Sequence, residues 1–466
     1  GLLLLVVAPP GAAEEAAALS KSDYVRAVTR GAGAMPGQQP YPSEREAAFR
    51  ARMEARKDAL LAERAAVAHP VLYTAAERAR ARANVASSAW ARAWRDSQVA
   101  LADYIVAQPD EWIAQMIPFA APAHGYGFTC PHCVGEQSQE AVGYSLARWS
   151  YKAPEALQCT ACGQTYPDAA YPETATLELP RTGHTVNYYL NDAERAHPDD
   201  RSGRHAWHWV GYPIHVSFSG LIRERKIRFM TGAAESLALA YLFTGDARYA
   251  AATRKVLTRF ARAFRTWPYR DYWDSYADCD PLYAAWHHDA LPLTWKRHLS
   301  EGAFDDDTVS RARMLRNYWG AGRLHVSTGG ITALPALAAA YDLTCMAQHA
   351  DGTPVWPQAD RRRVERDLLL EFIFESEPFV GGAGRATNAS NKAPRIYNAM
   401  AVVAKTLGLA PLADIALRGY ERVRDESFNP DGFCTESPSY NNMYLSQLLR
   451  VPEALHGFTW PEDFDA

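Results

Sequence analysis

The chain lacks the short signatures of several enzyme classes. It holds no GxSxG elbow, no HExxH pair and no glycine-rich phosphate loop; serine-hydrolase, zinc-protease and phosphate-loop chemistry are set aside on that ground. It has no strong excess of one charge. Forty-nine Lys and Arg face 53 Asp and Glu, a net charge of −4, so no global basic field invites nucleic acid. Long apolar runs are missing too. After the opening "GLLLLVVAPPGAAEEAA", no stretch approaches the roughly 18 residues a membrane span requires. Cysteine is sparse, and the seven present are an odd number, which argues against a complete disulfide framework.

Hydrophobic residues make up 48% of the 466, enough for a sizeable core and against global disorder. Aromatics reach 11%, with 13 Trp and 24 Tyr, which fits either a buried aromatic core or a surface that stacks on flat ligands such as sugar rings. The first apolar run, broken by Pro9 and Pro10, looks like the tail of a secretory signal peptide. It predicts a leader over residues 1–25 and an exported protein, secreted or periplasmic.

Four regions follow from composition. Residues 26–117 are rich in Ala, Arg and Glu and read as two or three amphipathic helices, with Ser43 and Glu46 spaced as a capping box. Residues 118–215 lose helical periodicity and gain Gly, Pro, His and aromatics. From 216 to 466 helices return in pairs. In the first pair Leu237 and Tyr241 share a face, Gly245 and Asp246 punctuate, and Tyr249, Val256, Phe260 and Phe264 recur at helical spacing. "ITALPALAAAYDLTCMA" with "RRRVERDLLLEFIFE", and "RIYNAMAVVAKTLG" with "APLADIALRGYERVRDESF", repeat the pattern. The reading is a mainly α protein, an incomplete α/α toroid of antiparallel helix pairs, with a plain helical bundle as the alternative. The basic runs "RERKIRF" and "RRRVER" read first as solvated helix faces.

The sharpest local signal is a pair of CxxC motifs, Cys130 and Cys133, then Cys159 and Cys162. Twenty-five residues lie between them, and Gly163 follows as a knuckle glycine would. Four thiolates suit tetrahedral zinc in a small zinc-ribbon-like module; all four positions are filled, so the metal would be structural. Two disulfides are the alternative in an exported protein. The segment "WPYRDYWDSYADCDPLYAAWHH" offers Trp273, Tyr276, His287 and His288 as a ligand-facing wall, with simple packing as the alternative. Cys279, Asp280 and Asp289 beside the two histidines raise a metal reading, but adjacent histidines diverge and rarely chelate together. "GGAGRATNASNKAPR" is an irregular loop carrying Asn388, Asn391, Lys392 and Arg395.

Two segments together resemble the heparinase II/III-like polysaccharide lyases. They are "SNKAPRIYNAMAVVAKTLG" and "NPDGFCTESPSYNNMYL". The resemblance covers roughly the last half of the chain. It implies an α/α toroid and an acidic polysaccharide as substrate. It gives Asn391 the part of neutralising a uronate carboxylate, Tyr440 that of acid, base or both, and Glu436 that of the acidic residue in the tyrosine segment. It also implies a C-terminal β-sandwich that supplies a histidine, which lies outside these 466 residues. Here Asn441 follows Tyr440, where many members carry histidine, and no histidine lies near Asn391.

The chemistry asks for such residues. Eliminative cleavage removes the C5 proton beside the carboxylate and expels the oxygen at C4. Donors that neutralise the carboxylate stabilise the enolate-like transition state. A tyrosine near cations loses its proton readily and serves as base. Arg395 stands one turn from Asn391, and Pro394 suits the first turn of the helix between them. Two other classes compete. A glycoside hydrolase needs two carboxylates across one cleft, for which Asp274, Asp278 and Glu436 are available. A silent glycan-binding toroid needs no catalytic pair.

Overall fold

The structure is a computed structural model that describes residues 45–123, 128–134, 147–209, 212–271, 273–288, 290–300, 321–324, 330–382 and 384–461. The leader expected over 1–25, with Ser43 and Asp289, lies outside the described residues. The fold is mainly helical with a few small sheets. Among the described residues no helix is long and apolar enough to cross a membrane.

Helix α1 spans Glu46–Ala62 and buries Phe49, Met53, Lys57 and Leu61, one residue per turn. Glu46 is its first residue, not the third of a capping box. Its carboxylate instead accepts the Asp280 backbone N–H at 2.5 Å and pairs with Arg181 at 3.0 Å. Helix α2 (Ala75–Ser87) does open on a capping box, made by Thr74 and Glu77. Helices α3 (Ala89–Val106) and α4 (Asp110–Met116) follow.

The middle of the chain holds the strands. β1 (Ala147–Ser150), β2 (Ala153–Cys159) and β3 (Thr165–Tyr166) form an antiparallel sheet in that order. β4 (Ala175–Leu179) and β5 (His184–Tyr188) form a hairpin with Leu177 opposite Val186. β6 (Trp207–Trp209) and β7 (Tyr212–Ile214) pair alone. These strands serve two separate cores. Leu157, Cys159 and Tyr166 pack with Phe218 and Leu221, while Leu177, Leu179, Val186 and Tyr188 pack with Tyr276.

From residue 218 on, the described α-helices are α5 (Phe218–Thr244), α6 (Ala247–Phe264), α7 (Pro281–His287), α8 (Leu334–Thr344), α9 (Gln358–Val364), α10 (Leu370–Val380), α11 (Ala393–Leu407), α12 (Ala410–Ser427), α13 (Pro438–Leu448) and α14 (Arg450–Leu455). One π turn joins α9 to α10. Gly245 ends α5 in the left-handed conformation, and the Asp246 side chain caps α6, so α5 and α6 form a hairpin. α11 and α12 form another. There a Cβ on Gly419 would stand 2.3 Å from the Tyr397 ring, so only glycine permits the approach.

One hydrophobic core runs from Phe49 and Ile105 through Leu237 and Phe260 to Met400 and Val451. Helices before residue 117 therefore share their core with those after 216. The basic run at α5 is not a solvated face: Lys226 is buried and paired with Glu155 at 2.5 Å, and Arg223 donates to the Ala121 carbonyl. The second run ties α9 and the π turn after it to α1, through Arg362 with Asp58 at 2.8 Å and Arg366 with Glu54 at 2.7 Å.

An ion network sits under that contact. Glu371 of α10 is fully buried and meets Arg50 at 2.9 Å, Arg323 at 2.9 Å, and Lys57. Burial alone would raise its pKa. The charges of Arg323, Lys57 and Arg50 overcome that and hold it well below the ordinary carboxylate range.

Candidate functional site

Asn391 and Glu436, one from each motif segment, lie 45 residues apart in sequence and meet in space. Asn391 is buried just before α11, and its Nδ2 donates to both Glu436 oxygens, at 2.7 and 2.9 Å. An amide NH2 carries two hydrogens, and one can serve both carboxylate oxygens, which leaves the other for a ligand. Glu436 itself is exposed. Tyr440 follows on the first turn of α13, half-buried, with its backbone N–H on the Ser437 carbonyl at 3.0 Å.

Local chemistry sets this placement. Asp431 accepts the Phe433 N–H at 3.0 Å, Gly432 takes φ +84°, and Thr435 N–H returns to the Ser427 carbonyl at 2.8 Å. The turn thus reverses the chain after α12 and delivers Glu436 beside Asn391. Asn441 accepts the Cys434 N–H at 3.0 Å, so it holds the turn. Ser427 donates to the Ala389 carbonyl at 2.6 Å, and Tyr444 reaches the same carbonyl at 3.4 Å. These contacts stitch the Asn391 loop to the tyrosine segment.

Sequence reasoning missed Tyr444 and Ser427. Tyr444 had a readable signal, since it stands four residues after Tyr440 on one helix. Burial first, then the Glu436 carboxylate, push its hydroxyl up to about 12. Lys392 is buried beside Asn391, and burial, reinforced by the Arg395 charge, draws its amine down to about 8.

Arg395 stands in the first turn of α11, after Pro394 as expected. It lines a cavity of about 850 Å³, with Asn398 on the same helix, Gln447 and Arg450 beyond, and Tyr73 and Glu235 among the other lining residues. Asn388 is a tie of the loop itself. Its Nδ2 donates to Phe379 O at 2.8 Å and its Oδ1 accepts the Ser390 N–H at 2.8 Å.

The aromatic segment expected as a ligand-facing wall is partly core. Tyr276 is fully buried, in the core under the β4–β5 hairpin, and presents no face to solvent. His287 lies against the Tyr283 ring at 4.2 Å with its Nδ1 near the Tyr283 carbonyl at 3.0 Å. His288 Nδ1 is 3.3 Å from the Ala285 carbonyl. His287 also meets the Phe49 ring of α1 at 4.8 Å. Trp273 is half-buried, and its carbonyl accepts His298 Nε2 at 3.1 Å. His298 lines a separate cavity of about 420 Å³ with His197, His205 and His215, and burial keeps it neutral by lowering its pKa to about 3. Asp278 is buried and accepts from Arg181 N, Thr182 N and Thr182 Oγ1, which removes it from a hydrolase pair.

The four motif cysteines form a second centre. Their sulfurs lie within 4.8 Å of one another, a set compatible with a metal ion. Cys130 to Cys162 and Cys133 to Cys159 each measure 3.7 Å. A disulfide needs about 2.0 Å, so neither is one. Backbone turns shape the two knuckles: Val134 N–H bonds the Cys130 carbonyl at 3.1 Å, and Gly163 N–H bonds the Cys159 carbonyl at 3.0 Å with Gly163 at φ +79°. Cys279, Cys345 and Cys434 are buried and unpaired with any other cysteine.

No protein-family model matches the chain, and no curated protein is significantly similar to it.

Proposed function

We propose that the protein is an exported polysaccharide lyase that cleaves a uronate-containing polymer by β-elimination, its helix pairs arranged as an α/α toroid. The observation that carries this reading is the Asn391–Glu436 contact, which brings a buried amide donor to the foot of the helix bearing Tyr440. In the reaction Tyr440, as phenolate, removes the C5 proton. The C4–O bond breaks as the C4–C5 double bond forms, and the new phenol returns its proton to the leaving oxygen. Asn391, braced by Glu436, donates to the substrate carboxylate, and Lys392 and Arg395 supply positive charge. Arg395 would also guide a sugar into the cavity it lines.

The test is a panel of acidic polysaccharides: alginate, polygalacturonate, heparin, chondroitin sulfate and hyaluronan. The expected result is growing ultraviolet absorbance from a C4–C5 unsaturated product with at least one of them. New reducing ends without that absorbance would mean hydrolysis and sink the reading.

The Cys130, Cys133, Cys159 and Cys162 centre is proposed to hold structural zinc. A tetrahedron with Zn–S bonds of about 2.3 Å has S···S edges of about 3.8 Å, which the two 3.7 Å separations fit. The ion would fold the knuckles and take no part in the elimination. Metal analysis should give about one zinc per chain, lost in Cys133→Ser together with order in the β1–β3 sheet. Metal-free protein with two disulfides by mass spectrometry would refute it.

A further inference from the structure

Helices α2 and α3 form a surface that the catalytic reading leaves unused. No residue of α2 is buried. α3 buries Ala91, Ala102 and Ile105 and turns Trp90 and Trp94 outward, 69% and 44% exposed. Four residues apart, the two indoles are spaced about 6 Å along the helix axis. The site is built rather than merely bare. Trp94 stands edge-on to Phe243 at 5.9 Å, and Arg82 donates to the adjacent Leu242 carbonyl at 3.1 Å, so α2 and α3 converge on the last turn of α5. Arg92 donates to the Ala86 carbonyl at 2.9 Å, at the junction of the two helices.

Charge is concentrated here. Residues 75–97 carry five arginines against Glu77 and Asp96, in a chain whose net charge is −4. Those two carboxylates are engaged, Glu77 by Thr74 at 2.8 Å and Asp96 by Arg95 at 2.6 Å.

We propose that Trp90, Trp94 and Arg82 form a surface platform that holds an acidic polysaccharide chain outside the Asn391–Tyr440 site. An exposed indole stacks on the C–H face that each sugar ring presents. An arginine fork beside it pairs with carboxylate or sulfate groups on the same chain. A nucleic-acid duplex hides its flat faces and suits Trp90 less well. The choice of ligand rests on the lyase reading, and the platform would raise the local concentration of polymer near the cleft.

The experiment uses the full chain carrying Tyr440→Phe, so that polymer is bound without being cut. Native gels containing alginate, polygalacturonate or heparin measure retardation. Dextran is the uncharged control, and a single-stranded oligonucleotide and phosphatidylglycerol vesicles are probed separately. At least one acidic polymer should retard the protein and dextran should not. W90A/W94A should weaken that binding by about tenfold, as expected from losing two exposed stacking contacts. Both side chains are exposed, so the fold should survive, as circular dichroism would verify. R82Q should weaken binding and flatten its dependence on salt. Unchanged retardation of W90A/W94A, or tighter binding of the oligonucleotide or vesicles, would overturn the proposal. The platform and the lyase reading fail separately. Protein retarded through Trp90 and Trp94 that releases no unsaturated product from any polymer keeps the platform and loses the lyase.

Discussion

Tyr440→Phe is expected to lower kcat on the cleaved polymer by about 10²–10⁴-fold, the usual worth of a positioned proton-transfer group. The change removes one hydroxyl and keeps the ring, which is half-buried against the main core. Folding should therefore be unchanged, and a thermal melt checks that. Asn391→Ala should also lower kcat, because the carboxylate demands more neutralisation in the transition state than in the bound substrate. It frees Glu436 as well, leaving an unbraced anion beside the substrate's own. The pH profile separates the charged helper from the base. Burial and Arg395 draw the Lys392 amine down to about 8, so its positive charge is present below that pH and fades above it. Activity should lose an assisting cation on the alkaline side, and Lys392→Gln should lower kcat/KM and remove that limb. An unfolded lysine titrates near 10.4, so the unfolded chain binds more protons between about pH 8 and 10.4, and stability should rise with pH across that window. Near-full turnover of Tyr440→Phe would make Tyr440 a packing residue.

Glu371→Leu is expected to cost about 3–5 kcal/mol of stability, the range for breaking a buried ion pair by removing one partner. The substitution takes one carboxylate partner from each of Arg50, Lys57 and Arg323, which keep Asp280, Glu54 and Glu375 respectively, and Lys57 and Arg323 are fully buried. The folded pKa of Glu371 lies well below its unfolded value. Its contribution is thus complete above about pH 4.3 and is lost as pH falls through the lower, folded value. Urea midpoints at neutral pH measure the effect. A shift worth less than about 1 kcal/mol would mean that Asp280, Glu54 and Glu375 suffice to hold the three cations.

The local parts of this fold are legible in the sequence because short-range physics sets them. Gly245 and Asp246 mark the α5–α6 boundary through one left-handed residue and one side-chain cap. The Pro430–Gly432 turn and the CxxC knuckles are equally local: each spacing brings two sulfurs together, while the meeting of the two knuckles comes from the fold. Contacts between distant segments are another matter. Nothing near Lys57 announces Glu371, 314 residues away, and the basic run at Arg223–Phe229 shows no sign that Lys226 is buried. Tyr276 is misread for a related reason. An aromatic cluster in an irregular stretch has the same composition whether it faces ligand or core, and the β4–β5 hairpin that covers it comes from a hundred residues earlier. Asn391 and Glu436 are the exception among distant pairs. A motif resemblance named both residues, and their contact is visible only in three dimensions.

The most direct measurement on the central proposal is the mass of the oligosaccharides released from a uronate polymer. Elimination at C4 yields a new non-reducing end lighter by one water than the hydrolytic fragment, with the C4–C5 double bond in place. The wild-type protein should release that lighter series, and Tyr440→Phe should nearly abolish it. Fragments of hydrolytic mass, or the lighter series undiminished without the Tyr440 hydroxyl, would contradict the proposal.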